Sequence, residues 1–265
     1  MRNVFTFAIG LSLLLTACGK QGAPAPREEA TNDFFSHESI NPVGLRESKK
    51  IALTFDDGPG QGTAQVLDLL KTYKIHATFF CLGKSAQAFP QLMRRIQAEG
   101  HIIANHSYSH QNLAAGRYNN PSALISDLLS THNAIAPYQN PEHGLYFRAP
   151  GGAWRPQRAD VLNSQPILKS YIGPVFWDVG GQLTANYSAD WACWSHGVSP
   201  QRCLQGYLAE TAAKHGGIVL FHDITSASAR MVAQYIPMMI AEGYTFVTLD
   251  EIESLNQYRP QTASK

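Results

Sequence analysis

Nothing in this 265-residue sequence is long and apolar enough to cross a bilayer as a helix. The nearest approach is residues 5–15, an apolar run roughly half the length that such a span needs. An excess of charge is missing as well: 21 Lys and Arg face 20 Asp and Glu. That balance removes the electrostatic reason to expect a nucleic-acid partner. No repeat or low-complexity tract stands out, so no repeat architecture is expected. Cysteine is scarce, with four residues. Cys81 ends an apolar run and reads as a buried small hydrophobe. Cys193 and Cys203 lie ten apart in a polar stretch and form a possible disulfide, two free thiols being the alternative. Closing so short a loop would contribute about 3 kcal/mol in the chain-entropy account. Cys18 closes the apolar leader.

That leader has the form of a bacterial export signal. Arg2 supplies a positive start, residues 5–15 an apolar middle, and Leu15-Thr16-Ala17-Cys18 resembles a lipobox. The expected organisation is a signal peptide at 1–17, a lipid-anchored flexible linker at 18–48, a folded domain at 49–258 and a tail at 259–265. Cys18 would be the lipidation site, tethering the protein to a membrane surface without a spanning helix. The linker reading rests on Pro24, Pro26 and Pro42 among mixed charges with no apolar periodicity. The expected address is the bacterial cell envelope. Gly19 after the cysteine points to the periplasmic side of the outer membrane if the organism is Gram-negative with enteric-type sorting.

Beyond the linker, strand-like runs at 50–55, 76–81, 101–105, 145–148, 171–178, 218–222 and 245–249 alternate with helix-like stretches. The latter fall at 63–73, 85–99, 122–135, 156–163, 204–214 and 227–242. Such alternation predicts an α/β fold, and about seven parallel strands predict a distorted (β/α) barrel in a single domain. Asp56, Asp57, His106, Arg148, Asp178 and His222 all fall at or just past the C-terminal ends of these strands. Barrel enzymes gather their catalytic groups on that face.

The residue types there have a chemistry in common. One carboxylate and two imidazoles hold a zinc-like ion and leave a coordination position open. His106 and His110, four apart, are the candidate imidazole ligands; a second carboxylate and the late His222 remain as general base and general acid. From the residues alone, Asp56 and Asp57 are interchangeable between ligand and base.

With these residues in place the chain resembles the polysaccharide deacetylase family, the NodB-homology domain of carbohydrate esterase family four. Its first motif is matched by Thr54-Phe55-Asp56-Asp57-Gly58-Pro59, and its second by His106-Ser107-Tyr108-Ser109-His110. The third corresponds to Arg148-Ala149-Pro150-Gly151-Gly152, with Gly151 where an aromatic is usual. Asp190-Trp191 is the best match to the fourth, and Leu220-Phe221-His222 matches the fifth. The resemblance implies Asp57, His106 and His110 as ligands of Zn2+ or another divalent transition metal. It implies Asp56 as base and His222 as acid, with Arg148 orienting Asp56 and Asp190 supporting His222. Asp178, at a strand end, competes with Asp190 for that last role. Pro150, Gly152, Trp191 and Leu220 are the expected substrate contacts.

The implied activity is metal-dependent N-deacetylation of N-acetylated amino-sugar glycans, of peptidoglycan or chitin type. Gly151 and the long aromatic stretch at 180–202 make a distinctive groove the expectation. Two other classes stay open: a non-catalytic glycan-binding lipoprotein, and a non-haem iron oxygenase built on the carboxylate and two histidines. The oligomeric state has no signal in the chain.

Overall fold

The computed structural model describes residues 35–42, 44–181 and 187–258. Cys18, the leader and the tail lie outside these residues. Among them are seven strands: β1 Phe35–Ile40, β2 Lys50–Asp56, β3 Thr78–Cys81, β4 Ile102–Asn105, β5 Gly173–Val175, β6 Gly217–His222 and β7 Thr245–Val247. The helices are α1 Thr63–Tyr73, α2 Gly83–Ala88, α3 Pro90–Ala98, α4 Pro121–Ile135, α5 Gln157–Asn163, α6 Asp190–Ser195, α7 Pro200–Lys214, α8 Ser226–Ala241 and α9 Glu253–Asn256.

β2 is apolar on both faces, and everything from Ile51 to Asp56 is buried, as in a strand with covering layers on each side. β6 pairs along one edge of it over Ile51–Asp56; β3 takes the upper part of the other edge, and β7 the lower part. β4 continues the sheet beyond β3, giving the order β4-β3-β2-β6. All these pairings are parallel. The remainder of the ring is irregular: isolated parallel bridges join Asn105 to Phe147, Tyr146 to Ile172 and Val179 to Val219. They carry the sheet from β4 through the segments around 146 and 172–179 back to β6. The result is the expected distorted barrel, closed by a thin seam.

Local sequence sets the helix limits. In α1, Val66, Leu67 and Leu70 share the buried face, and Lys74 at φ 55° ends the helix in a left-handed cap. The expected single helix over 85–99 is two helices, because Pro90 has no N–H to continue the first and disfavours helical backbone at Phe89. Pro90 instead opens α3. The span expected as linker, 18–48, also contains folded structure. Residues 35–40 form β1, which pairs with β5 from Phe35↔Gly173 to Ile40↔Val175. Phe35 is buried against Phe147 and Trp154, and its backbone N–H and C=O are both bonded by the Asn163 side chain. Two apolar anchors separated by polar residues gave no periodicity to read, yet a chain begun at Lys49 would uncover this patch.

The register brings strand ends level. Asp56 lies opposite both Phe80 on β3 and His222 on β6, and Cys81 lies opposite Asn105 on β4. The residues that follow these positions meet at one mouth.

Candidate active site

Asp56 closes β2 and Asp57 begins the turn after it, with φ 73°. Along a strand, neighbours point to opposite faces; the left-handed turn instead lets both carboxylates line one cavity of about 310 Å3. His106, His110 and His222 line it too, with Gly151, Trp177, Gly181, Trp191 and Leu220.

His106 follows β4, and the rest of its motif is a loop rather than a helical turn. Ser107 and His110 take positive φ, 67° and 58°. The Asn105 side chain accepts the Ser107 N–H, and Ser107 Oγ accepts the His110 N–H. His106 Nδ1 sits 2.9 Å from the Arg148 carbonyl; a carbonyl only accepts, so Nδ1 carries the hydrogen and Nε2 offers its lone pair. That Nε2 lies 3.5 Å from Asp57 Oδ1, and His110 Nε2 lies 3.3 Å from the same oxygen. Burial pushes the His106 imidazole down to about 3, with Asp57 opposing the shift, so the ring is neutral and fit to ligate.

The three groups are suited to a divalent cation. Their ligand atoms lie within 4.8 Å of one another. Asp57 Oδ1 is buried with no hydrogen-bond partner, an arrangement that costs free energy unless something electropositive faces it. The His106–Arg148 carbonyl bond is the outer support typical of a metal-bound imidazole.

Two further groups flank this set. Asp56 Oδ1 accepts from Arg148 Nη1 at 2.8 Å, and the same nitrogen donates to Thr54 Oγ1. Arg148 is itself buried, held by the carbonyls of Val175 and Phe176 and lying over the Phe80 ring. Burial raises the Asp56 carboxyl above the usual carboxylate range, and the Arg148 charge opposes the shift. On the other side, His222 Nδ1 donates to Asp190 Oδ1 at 2.8 Å, and Asp190 Oδ2 accepts the His222 N–H. Burial disfavours the imidazolium, but the Asp190 charge and bond outweigh it and lift His222 to about 9. Its Nε2 points inward, 4.0 Å from Asp57 Oδ2.

Of the two competing carboxylates, Asp190 is the one bonded to His222. Asp178 faces away, bonded to Arg46 and to the Ile218 N–H. Trp191, 56% exposed, and Leu220 both line the cavity as expected. Pro150 and Gly152 are not among its lining residues: Pro150 is buried, and a side chain at Gly152 would strike Phe176 and Trp177. The rim there is Gly151, where a side chain would meet nothing within 4 Å. Trp177 escaped the sequence reading. Its indole packs so close to Gly152 and Gly181 that no Cβ fits at 181, 2.5 Å from Nε1. The Phe176-Trp177 pair followed by Gly180-Gly181 was the available signal. Cys193 and Cys203 are bridged, and Cys81 is free and buried.

Fold and site together define a parallel α/β barrel whose mouth holds a carboxylate–imidazole–imidazole set between a base-like and an acid-like residue. The sequence profile described as polysaccharide deacetylase matches residues 44–168. The chain is 35% identical over 178 residues to a chitooligosaccharide deacetylase of Rhizobium leguminosarum bv. trifolii, covering 67% of this chain and 73% of that one. It is 33% identical over 263 residues to the peptidoglycan-N-acetylglucosamine deacetylase PgdA of Listeria monocytogenes, covering 94% of this chain. The chain spans about half of that relative, 51% of its length. The crystal structure of the Bc1960 peptidoglycan N-acetylglucosamine deacetylase superposes with a TM-score of 0.64 at 26% identity, covering 86% of this chain and 96% of that one. The chain belongs to the polysaccharide deacetylase family.

Proposed function

We propose that the protein is a metal-dependent N-deacetylase of N-acetylated amino-sugar glycans, peptidoglycan or chitin-type oligosaccharides, releasing acetate and leaving a free amine. The observation that carries this reading is the single cavity in which Asp57, His106 and His110 converge with Asp56 and His222 on either side. The relatives support it: the two named above act, by their names, on peptidoglycan N-acetylglucosamine and on chitooligosaccharide.

Asp57, His106 and His110 would hold the ion, and a mixed oxygen and nitrogen donor set suits zinc. When bound, the ion supplies Lewis acidity, acidifying water and polarising a carbonyl. Asp56 takes a proton from the water that adds to the acetamide carbon. Arg148 holds that carboxylate in one orientation as it does so. His222 gives a proton to the sugar nitrogen as the C–N bond breaks, and Asp190 keeps the imidazole turned and charged for it. Leu220 and Trp191, which line the cavity, would enclose the acetyl group, and the bare edge at Gly151 would leave room for a neighbouring sugar.

The purified protein is expected to release acetate from peptidoglycan fragments or chitin oligosaccharides. Mass spectrometry should show a loss of about 42 Da per acetyl, the difference fixed by this reaction. A chelator should abolish the release. No release from any N-acetyl substrate by metal-loaded protein would favour glycan binding without catalysis.

We also infer that the protein is a lipoprotein, anchored through Cys18 in the cell envelope. The support is the lipobox-like Leu15-Thr16-Ala17-Cys18 after an apolar run. Cys18→Ser is expected to leave the enzyme soluble or unprocessed, as read by membrane fractionation and intact mass. A wild-type N-terminus that is cleaved but carries no lipid would refute the anchor.

A further inference from the structure

His222 is fixed by β6, which pairs with β2 along its whole upper length. Asp190 has no such strand beneath it. It opens α6, a helix of six residues, and must be carried to His222 by something else. The carrier is one face of α7. Cys203, Tyr207 and Glu210 lie along that face at helical spacing, and all three are buried. Cys203 is bonded to Cys193 in α6. Glu210 Oε2 accepts from both the Gly180 N–H and Ser188 Oγ, on either side of the segment leading into α6. Tyr207 reaches Asp190 itself.

The Tyr207 hydroxyl accepts the Asp190 N–H at 3.0 Å and lies 3.3 Å from Asp190 Oδ1 and 3.0 Å from the Leu220 carbonyl. It therefore touches the backbone and the carboxylate of Asp190 while bonding to β6 two residues before His222. Its ring is locked by stacking on Phe221, with centroids 4.4 Å apart, and by an edge contact with Tyr235. Burial holds the phenol protonated well above its ordinary value, so it stays a hydrogen-bond donor.

We propose that Tyr207 is a positioning residue for the deacetylation: it sets the Asp190 carboxylate against the His222 imidazole, while the Cys193–Cys203 bridge ties the same two helices together about one turn away. This deepens the proposed function and rests on its assignment of His222 as the acid. Tyr207 belongs to none of the five motifs, although it touches Asp190 of the fourth and Leu220 and Phe221 of the fifth; it stands between the two in sequence, on a helix whose buried face would otherwise read as packing alone.

Tyr207→Phe keeps the stacked ring and removes the hydroxyl. It is expected to lower kcat about tenfold, the scale of a lost hydrogen bond to a charged group. KM and metal content should stay at wild-type values. The proton NMR resonance of His222 Nδ1–H, assigned by its loss in His222→Ala, should move upfield as its bond to Asp190 loosens. Thr211→Val is the control: it removes another buried hydroxyl of α7, bonded to the Tyr207 backbone carbonyl and the Tyr235 hydroxyl but not to Asp190, and should lower stability without moving kcat or the resonance. If Tyr207→Phe fails to fold, the protein lacking the bridge (Cys193→Ala with Cys203→Ala) should still show the upfield shift. Wild-type kcat and an unmoved resonance in Tyr207→Phe would overturn the proposal, as would an equal loss of kcat in Thr211→Val. Wild-type kcat in His222→Ala would instead overturn the underlying assignment of the acid, so the two failures are distinguishable.

Discussion

Asp56→Asn is expected to lower kcat/KM by ~10²–10⁴-fold while the protein keeps its full metal content. Asparagine has nearly the same shape and can still accept the Arg148 bond through its amide oxygen, so the fold around this buried pair should hold. What it cannot do is take a proton. Asp57→Asn, His106→Ala and His110→Ala should behave in the opposite way, with metal near background and activity lost as a consequence. Metal analysis beside an acetate assay separates the two groups. The geometry favours this division because the orphaned oxygen belongs to Asp57, whereas an oxygen of Asp56 is already occupied by Arg148. If Asp56→Asn loses metal and Asp57→Asn retains it, the two aspartates exchange roles.

The second large effect is expected at His222. His222→Ala should lose ~10²–10⁴-fold in kcat, as for removal of a general acid. Its pH dependence carries the finer information. Asp190 lifts the imidazole from 6.5 to about 9, against the opposing effect of burial. The protonated form needed to protonate an amine is thus present through neutrality and lost as pH rises through the raised value. The alkaline limb of kcat/KM should lie above the ordinary histidine range, and Asp190→Asn should move it to lower pH. A limb unmoved by Asp190→Asn would exclude this pairing. Stability follows the same sign: the ion pair contributes fully below about pH 6.5, and its contribution disappears as pH rises through about 9.

Much of the site was legible because its residues stand in contiguous motifs at strand ends. Asp56, Asp57, His106, Arg148 and His222 each fall at or just past the end of a predicted strand, His110 follows four residues after His106, and a parallel barrel levels those ends. Asp190 was harder. It follows a predicted strand by twelve residues, and its partners Tyr207 and His222 lie 17 and 32 residues further on, a set of contacts that no local pattern encodes. Trp177 escaped for another reason: it is an aromatic at the end of an apolar run, and only the glycines on either side mark it as a wall rather than a core residue. β1 was missed because its pairing partner is far along the chain, Gly173 facing Phe35 and Val175 facing Ile40. The break at Phe89 was legible in principle, since Pro90 forbids a continuous helix.

The uneven closure of the barrel has a consequence for how this enzyme tolerates change. The arc β4-β3-β2-β6 is continuously paired, and it bears Asp57, His106 and His222. The seam is held by isolated bridges, and it bears Arg148, Gly151 and Trp177. Local opening costs least where backbone pairing is sparse. Exchanges at Gly151 and Trp177 would therefore remodel the cavity wall while leaving in place the paired arc that carries the candidate ligands. In the proposed reading, substrate range could drift more freely than the ligand set, within the limit that Arg148 and Asp190 keep their bonds to Asp56 and His222.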